Sequence, residues 1–360
     1  MRMNKYGFAW VIAFVALLGS FGCSPDVQRS LEPDPIAFGR VNQVVVIADT
    51  TVWEGPLGDS LRYYFMGAYP ILPQPEPIFD LRHFTPDMLQ RDPLRKELRN
   101  YIILADLEDS ESATARMIVR DLGAEKLREA QEDKGYGVSV GRDKWAKGQT
   151  VVYMYGFSEG KVVENIVKSF PAVAKRLHQA DAEMVEATTY FNGENRQLEA
   201  DIQTQMDLRI RIPGKYFAAI NDSTVMWLRL ETTETSSNIL LHRVPYTDPE
   251  QLSYEGIKAI RNQLGREYIS STLPDTYMRI NDVDLPMFVE TTEINGSYAL
   301  EARGIWDIVN DYMGGAFVSY LLYNPEKRDL LFMDAFIHAP GKEKRDLMQQ
   351  MEYILHTAKY

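Results

Sequence analysis

Apolar residues along the chain recur at two spacings, and these divide the first half into strands and helices. The β-branched run Asn42–Asp49 (NQVVVIAD) predicts a buried strand, as do Tyr101–Ala105 and Thr150–Tyr155. Between them the period becomes helical. Gly55-Pro56 opens a short helix with Pro56 near its first turn and Leu61, Tyr64 and Phe65 on one face. Pro70, Pro73, Pro75 and Pro77 keep the next segment extended. A helix over roughly Ser112–Glu132 turns Ala115, Ile118, Leu122 and Leu127 inward, and another carries Val163, Ile166, Val167 and Phe170. Pro171 is expected to break or restart that helix with Ser169 as a cap. Val173, Leu177, Ala180, Met184 and Phe191 follow at a spacing that resembles a coiled-coil seam. A stripe this short fits packing on its own domain or a seam against a partner.

The second half is rich in strands. Leu208–Ile212 alternates as a half-buried strand should and is turned by Pro213-Gly214. Strands are predicted at Val225–Glu231, Asn238–Val244, Met287–Thr291, Ser297–Arg303, Ala316–Tyr323 and Asp329–His338. A helix from about Ser253 to Tyr268 interrupts them, and a last helix after Pro340-Gly341 carries Leu347, Met351, Ile354 and Leu355. The expected fold is α+β in two domains, each an antiparallel or mixed sheet packed by helices. The domains are placed at 41–195 (α/β) and 207–360 (α+β).

The start of the chain reads as an address. Arg2 and Lys5 precede the apolar core Phe8–Leu18, and Gly19-Ser20-Phe21-Gly22 leads to Cys23, the sole cysteine. This is the layout of a secretory signal peptide over residues 1–22, too short to span a bilayer stably. Cys23 after Gly22 resembles the lipobox of bacterial lipoproteins, so Cys23 is the predicted acylation site. Residues 23–40, polar with three prolines, form the lipidated tether. Without Arg2 and Lys5 the balance is 37 Lys+Arg against 51 Asp+Glu, a net of −14. That charge repels phosphate backbones and gives no polybasic attraction to anionic lipid. Nucleic acid is therefore excluded as a partner, and the bilayer is engaged only through acylated Cys23. One cysteine permits no intramolecular disulfide, and five scattered histidines form no metal-ligand motif, so no metal or cofactor is expected.

Several motifs imitate catalytic ones. Gly137-Val138-Ser139-Val140-Gly141 matches G-x-S-x-G, but the residues after it look like a turn into another strand where a nucleophile elbow needs a helix. Ser158-Glu159-Gly160-Lys161 matches S-x-x-K without any K-[ST]-G, so Ser158 reads as a helix cap. Asp80 and Arg82 read as an exposed ion pair. The densest stretch is Arg303–Tyr320. Its Arg303, Trp306, Asp307, Asn310, Asp311, Gly314 and Gly315 are the candidate lining of a ligand cleft. The competing reading is a buried-tryptophan corner joining two strands. No catalytic residue is assigned, although Asp307 and Asp311 are the pair an enzyme would use.

Four segments taken together resemble an uncharacterised lipoprotein family of Bacteroidota, domain of unknown function 4837. They are Trp53–Asp59, Leu72–Pro77, Arg303–Phe317 and Ala339–Arg345. The resemblance implies an envelope address and transfers no activity. The expectation is a membrane-anchored cell-envelope lipoprotein, leaning to the outer membrane because Ser24 follows Cys23. Its role is non-catalytic binding or assembly and support of another envelope component, with an envelope protein as the candidate partner. The rivals are a carboxylate-dependent glycan- or ligand-processing enzyme and a small-molecule binding module.

Overall fold

The three most apolar runs of the first half lie side by side in one sheet. The computed structural model describes residues 35–132 and 137–360. The predicted leader, Cys23 and the tether up to residue 34 lie outside the described residues. The first domain comprises β1 (Gln43–Ile47), α1 (Thr50–Trp53), α2 (Pro56–Phe65), β2 (Asp80–Phe84), α3 (Pro86–Arg91), β3 (Asn100–Asp106), α4 (Ala113–Leu122), α5 (Ala124–Gln131), β4 (Val138–Arg142), β5 (Thr150–Gly156) and α6 (Glu159–Thr189). The sheet order is β2-β1-β3-β5-β4, parallel except for β4 at one edge. One face packs Leu61 and Phe65 of α2 and Ile166, Val173 and Leu177 of α6, and the other packs Leu89, Ala115 and Ile118. Burial on both faces is why β1, β3 and β5 read as unbroken apolar runs.

Two helix expectations change. The helix over Ser112–Glu132 is two, because Gly123 at φ +78° turns the chain between α4 and α5. Conversely, α6 runs unbroken through Pro171, and the Ser169 hydroxyl donates to the Asn165 carbonyl instead of capping a new helix. Val162 and Ile166 before the proline and Val173 and Leu177 after it enter one core, which offsets the lost hydrogen bond. Val173 and Leu177 thus pack on their own sheet, whereas Phe191 is exposed.

The second domain comprises α7 (Arg196–Met206), β6 (Phe217–Asn221), β7 (Val225–Glu231), β8 (Ser236–Pro245), α8 (Tyr254–Tyr268), β9 (Tyr277–Ile280), β10 (Phe288–Ile294), β11 (Ser297–Val309), β12 (Gly314–Asn324), β13 (Asp329–His338) and α9 (Arg345–His356). Its antiparallel sheet has the order β10-β11-β12-β13-β8-β7-β6, with β9 alongside the far half of β11. Helices α7 and α9 cover one face and α8 the other. The fold is therefore α+β in two domains. Leu208–Ile212 is no strand: Leu208, Ile210 and Ile212 are buried against α7 and α9, while Arg209 makes a single bridge to Lys359. Inside this domain Arg261 of α8 meets Asp334 of β13 at 3.1 Å, both fully buried, and Ser319 also donates to Asp334 at 2.6 Å. Burial pushes the Arg261 guanidinium down and the Asp334 carboxyl up.

Helix α9 joins the two domains. Its first turn has no capping side chain of its own. Glu76, buried in the proline-rich segment of the first domain, supplies the cap. Its carboxylate accepts from the Lys344 N–H at 2.7 Å and the Arg345 N–H at 2.8 Å. The Arg345 side chain, 5% exposed, then reaches Asp80 at 2.8 Å and the Pro77 carbonyl at 2.6 Å. Asn42, in the turn just before β1, bridges to Asp346 and Gln349. The expected outcome of Glu76→Ala is a loss of about 2–3 kcal/mol, because two buried donors lose their partner. Urea unfolding checks this: the midpoint falls, and a broadened or two-step transition would show the domains uncoupling.

Candidate functional site

Two cavities open along the seam that this clamp holds closed, and both are walled by the segment Ala68–Pro75. The larger, about 580 Å3, lies between Ala68, Tyr69, Pro70, Ile71, Leu72 and Pro75 of the first domain and Leu285, Phe288, Val289, Glu290, Glu301 and Arg303 of the second. Its lining is mostly apolar. Ile71 sits at φ +56°, a backbone region that a β-branched residue rarely adopts, so the loop carries strain at the cavity wall.

The polar floor is a closed network. Arg303 forks onto Glu352 of α9 at 2.6 and 2.9 Å, and its Nε donates to Glu301. The Tyr69 hydroxyl donates to Glu352 at 3.0 Å. Burial works against the Arg303 charge, but Glu352 and Glu301 outweigh it and hold the guanidinium protonated. Burial and the neighbouring Glu352 push the Tyr69 hydroxyl well up. Glu290 sits directly across from Glu301 in the β10–β11 ladder and has no ion-pair partner among the described residues.

The smaller cavity, about 460 Å3, brings together five of the seven predicted cleft residues: Trp306, Asp307, Asp311, Gly314 and Gly315. Pro73, Gln74, Asp284, His338 and Lys344 complete much of its wall. Arg303 points to the larger cavity, and Asn310 is engaged in a turn, donating to the Asp275 carbonyl at 2.9 Å. Trp306 is 3% exposed; its indole donates to the Ala316 carbonyl at 3.2 Å and meets Phe336 edge-on. A Cβ on Gly315 would lie 1.8 Å from the Ile337 carbonyl oxygen. Trp306 and Gly315 therefore build the corner between β11 and β12. Asp307 pairs with Arg279 at 2.8 Å and Asp311 accepts from the Tyr312 N–H at 2.7 Å, so the two carboxylates are engaged separately.

The other motifs resolve into local structure. Ser139 lies within edge strand β4, 3.2 Å from the Tyr155 hydroxyl, with no helix after it. Ser158 caps α6 by accepting from the Lys161 N–H. Asp80 pairs with Arg345 across the seam, not with Arg82, because the buried guanidinium offers it a forked partner. Asp49 at the end of β1 accepts from Ser112 and the Thr114 N–H, so its carboxylate occupies the α4 N-terminus. Trp53 stacks on His83 at 4.9 Å beneath Arg62. Sequence reasoning missed Leu285, Phe288, Glu290, Glu301 and Glu352. Only their convergence on the proline-rich segment marks them.

A third hollow, about 330 Å3, is lined by Tyr69, His178, Gln349, Glu352, Tyr353 and His356. Burial pushes both imidazoles below their ordinary value, with the opposing carboxylates Asp181 and Glu352 near His178 only partly offsetting it. A buried neutral histidine refuses a proton that the unfolded chain accepts, so its contribution to stability is lost as pH falls below about 6.5. His178→Phe keeps a ring against Phe79 (4.7 Å, tilted) and removes that proton. The expected outcome is a smaller drop in Tm between pH 7.5 and 5.5 than in the parent. Equal drops would show that His178 is not the titrating group.

No curated protein sequence matches the chain. Two solved structures show a partial likeness, each covering 42% of this chain and 89% of its own. One is a mutant of the protein Mog1, at 8% identity and TM-score 0.28. The other is the Ran-binding protein Mog1p of Saccharomyces cerevisiae, at 7% identity and TM-score 0.28. The family models divide the chain in two. Residues 37–190, which include the Trp53–Asp59 and Leu72–Pro77 segments, match Domain of unknown function (DUF8532). Residues 195–357, which include the Arg303–Phe317 and Ala339–Arg345 segments, match Domain of unknown function (DUF4837), the domain that the four segments together resemble.

Proposed function

We propose that this chain is a cell-envelope lipoprotein that binds another envelope component without catalysis, using the larger seam cavity as its recognition site. The carrying observation is the cavity itself: about 580 Å3, apolar, walled by both domains, and floored by Arg303, Glu301, Glu352 and Tyr69 in mutual hydrogen bonds. A floor so fully paired orients a ligand without offering a free nucleophile or acid. Phe288, 60% exposed at the rim, is a large apolar side chain in contact with both solvent and the cavity. Acylated Cys23 would anchor the domains through the 23–40 tether. No helix among the described residues is long and apolar enough to cross a membrane. In this reading membrane attachment comes from the acyl chains.

Two measurements test the two halves of this reading. The apolar dye N-phenyl-1-naphthylamine should brighten on binding the folded protein. Phe288→Asp should weaken that binding about tenfold with little change in Tm, since a partly exposed ring is lost from the site. Equal binding by the variant would remove the cavity from the proposal. For the anchor, cells fed an alkyne-tagged palmitate should label the full-length protein and not Cys23→Ala, and the variant should leave the membrane fraction. Label retained by Cys23→Ala would refute acylation there.

A further inference from the structure

The two edges of the second sheet are treated differently, and the difference lies beside the larger cavity. At one edge β6 is interrupted by a register shift between Ala218 and Ile220. Such bulges blunt an edge against further pairing. At the other edge β10 pairs with β11 in unbroken register over Phe288–Ile294, and among the described residues no strand pairs with its outer side.

The hairpin that joins β10 to β11 fixes which backbone groups face outward. Asn295 (φ +48°) and Gly296 (φ +87°) form a two-residue turn of the type that matches strand twist. Ile294 and Ser297, which flank it, therefore exchange both ladder hydrogen bonds, and so do Thr292, Glu290 and Phe288 with their partners. The N–H and C=O of Val289, Thr291 and Glu293 consequently point away from β11, toward open solvent. On the cavity side the strand presents Phe288 and Glu290, and Glu293 is exposed on the opposite face. Glu290 and Glu293 both lack an ion-pair partner among the described residues.

From this placement we infer that β10 accepts an extended peptide strand of alternating apolar and basic residues from a partner protein. Main-chain bonds form to Val289, Thr291 and Glu293, apolar side chains of the peptide face the cavity beside Phe288, and its Lys or Arg side chains, on the opposite face, meet Glu293. Strand addition at an exposed edge takes affinity from the backbone and selectivity from pockets for alternate side chains. A second copy of the chain is disfavoured as occupant, because its β10 (FVETTEI) carries two glutamates and no Lys or Arg to meet Glu293. This inference names the partner of the binding site proposed above and rests on that reading.

The probes are a capped Val–Lys octapeptide, its Val–Glu counterpart, and a Val–Lys peptide N-methylated at alternate residues. Fluorescence anisotropy with the folded protein should show saturable binding of the Val–Lys peptide. The Val–Glu and N-methylated peptides should bind at least tenfold more weakly. Thr291→Pro removes an outward N–H and no ladder bond, so it should weaken the Val–Lys peptide at least tenfold at unchanged Tm. Glu293→Gln should flatten the salt dependence. The N-methylated peptide needs no protein variant, so the test survives if Thr291→Pro fails to fold. Equal binding of the N-methylated or the Val–Glu peptide overturns the inference, as does a dimer in sedimentation that Thr291→Pro dissolves. If the dye binds and no peptide does, the strand-addition inference falls and the cavity reading stands; if neither binds, both fall.

Discussion

The carboxylate of Glu76 at the first turn of α9 is the contact on which the rest of the arrangement depends. A helix begins with N–H groups that have no intrahelical acceptor, and in a buried setting each costs free energy unless something accepts from it. α9 has no local cap. Its acceptor comes from the other domain, more than 260 residues away in sequence. The two domains are thereby coupled through one helix: α9 completes the second domain's core with Met348, Met351, Ile354 and Leu355 while its start lies against the first. The seam is polar where it must be specific and apolar where it must be empty. Arg345 with Asp80 and Asn42 with Gln349 fix the register of the domains, and the cavities lie beside these contacts, where loop Ala68–Pro75 stands off the sheet.

That seam explains the mixture of what was and was not legible in the chain. Strands buried on both faces, such as β1, β5, β12 and β13, announce themselves as apolar runs, because no position along them must be polar. β2, β6 and β9 are edge or peripheral strands with exposed residues, and their pattern differs little from that of a loop. The Pro171 expectation failed because local propensity is a small term beside a core that claims both halves of α6. For the candidate site, five residues of the Trp306–Gly315 stretch do line a common cavity, but its tryptophan and glycines serve the sheet corner. Glu301, Glu352 and Glu290 carry no spacing signal at all. Each is an ordinary exposed-looking glutamate in sequence, and what distinguishes them is the neighbour that tertiary structure supplies.

The floor of the larger cavity raises the question of why an apolar hollow has a charged base. A buried ion pair is weak support for stability, since desolvation consumes most of the Coulombic gain, and an apolar floor would serve the core as well. What the Arg303–Glu352–Glu301–Tyr69 network provides is directionality. An apolar surface lets neighbouring elements slide, whereas a forked guanidinium with two carboxylates has one geometry. The network ties β11 to α9 and, through Tyr69, to the loop that forms the opposite wall. The wall that carries the strained Ile71 is thus held at a fixed distance from β10. With Arg303 neutralised twice over, Glu290 is the one lining carboxylate without a partner among the described residues, and the electrostatic character of the mouth is acidic. An apolar cavity that is acidic at its mouth and adjoins an unpaired strand edge selects by charge and by backbone together, and neither feature requires any residue of the site to do chemistry.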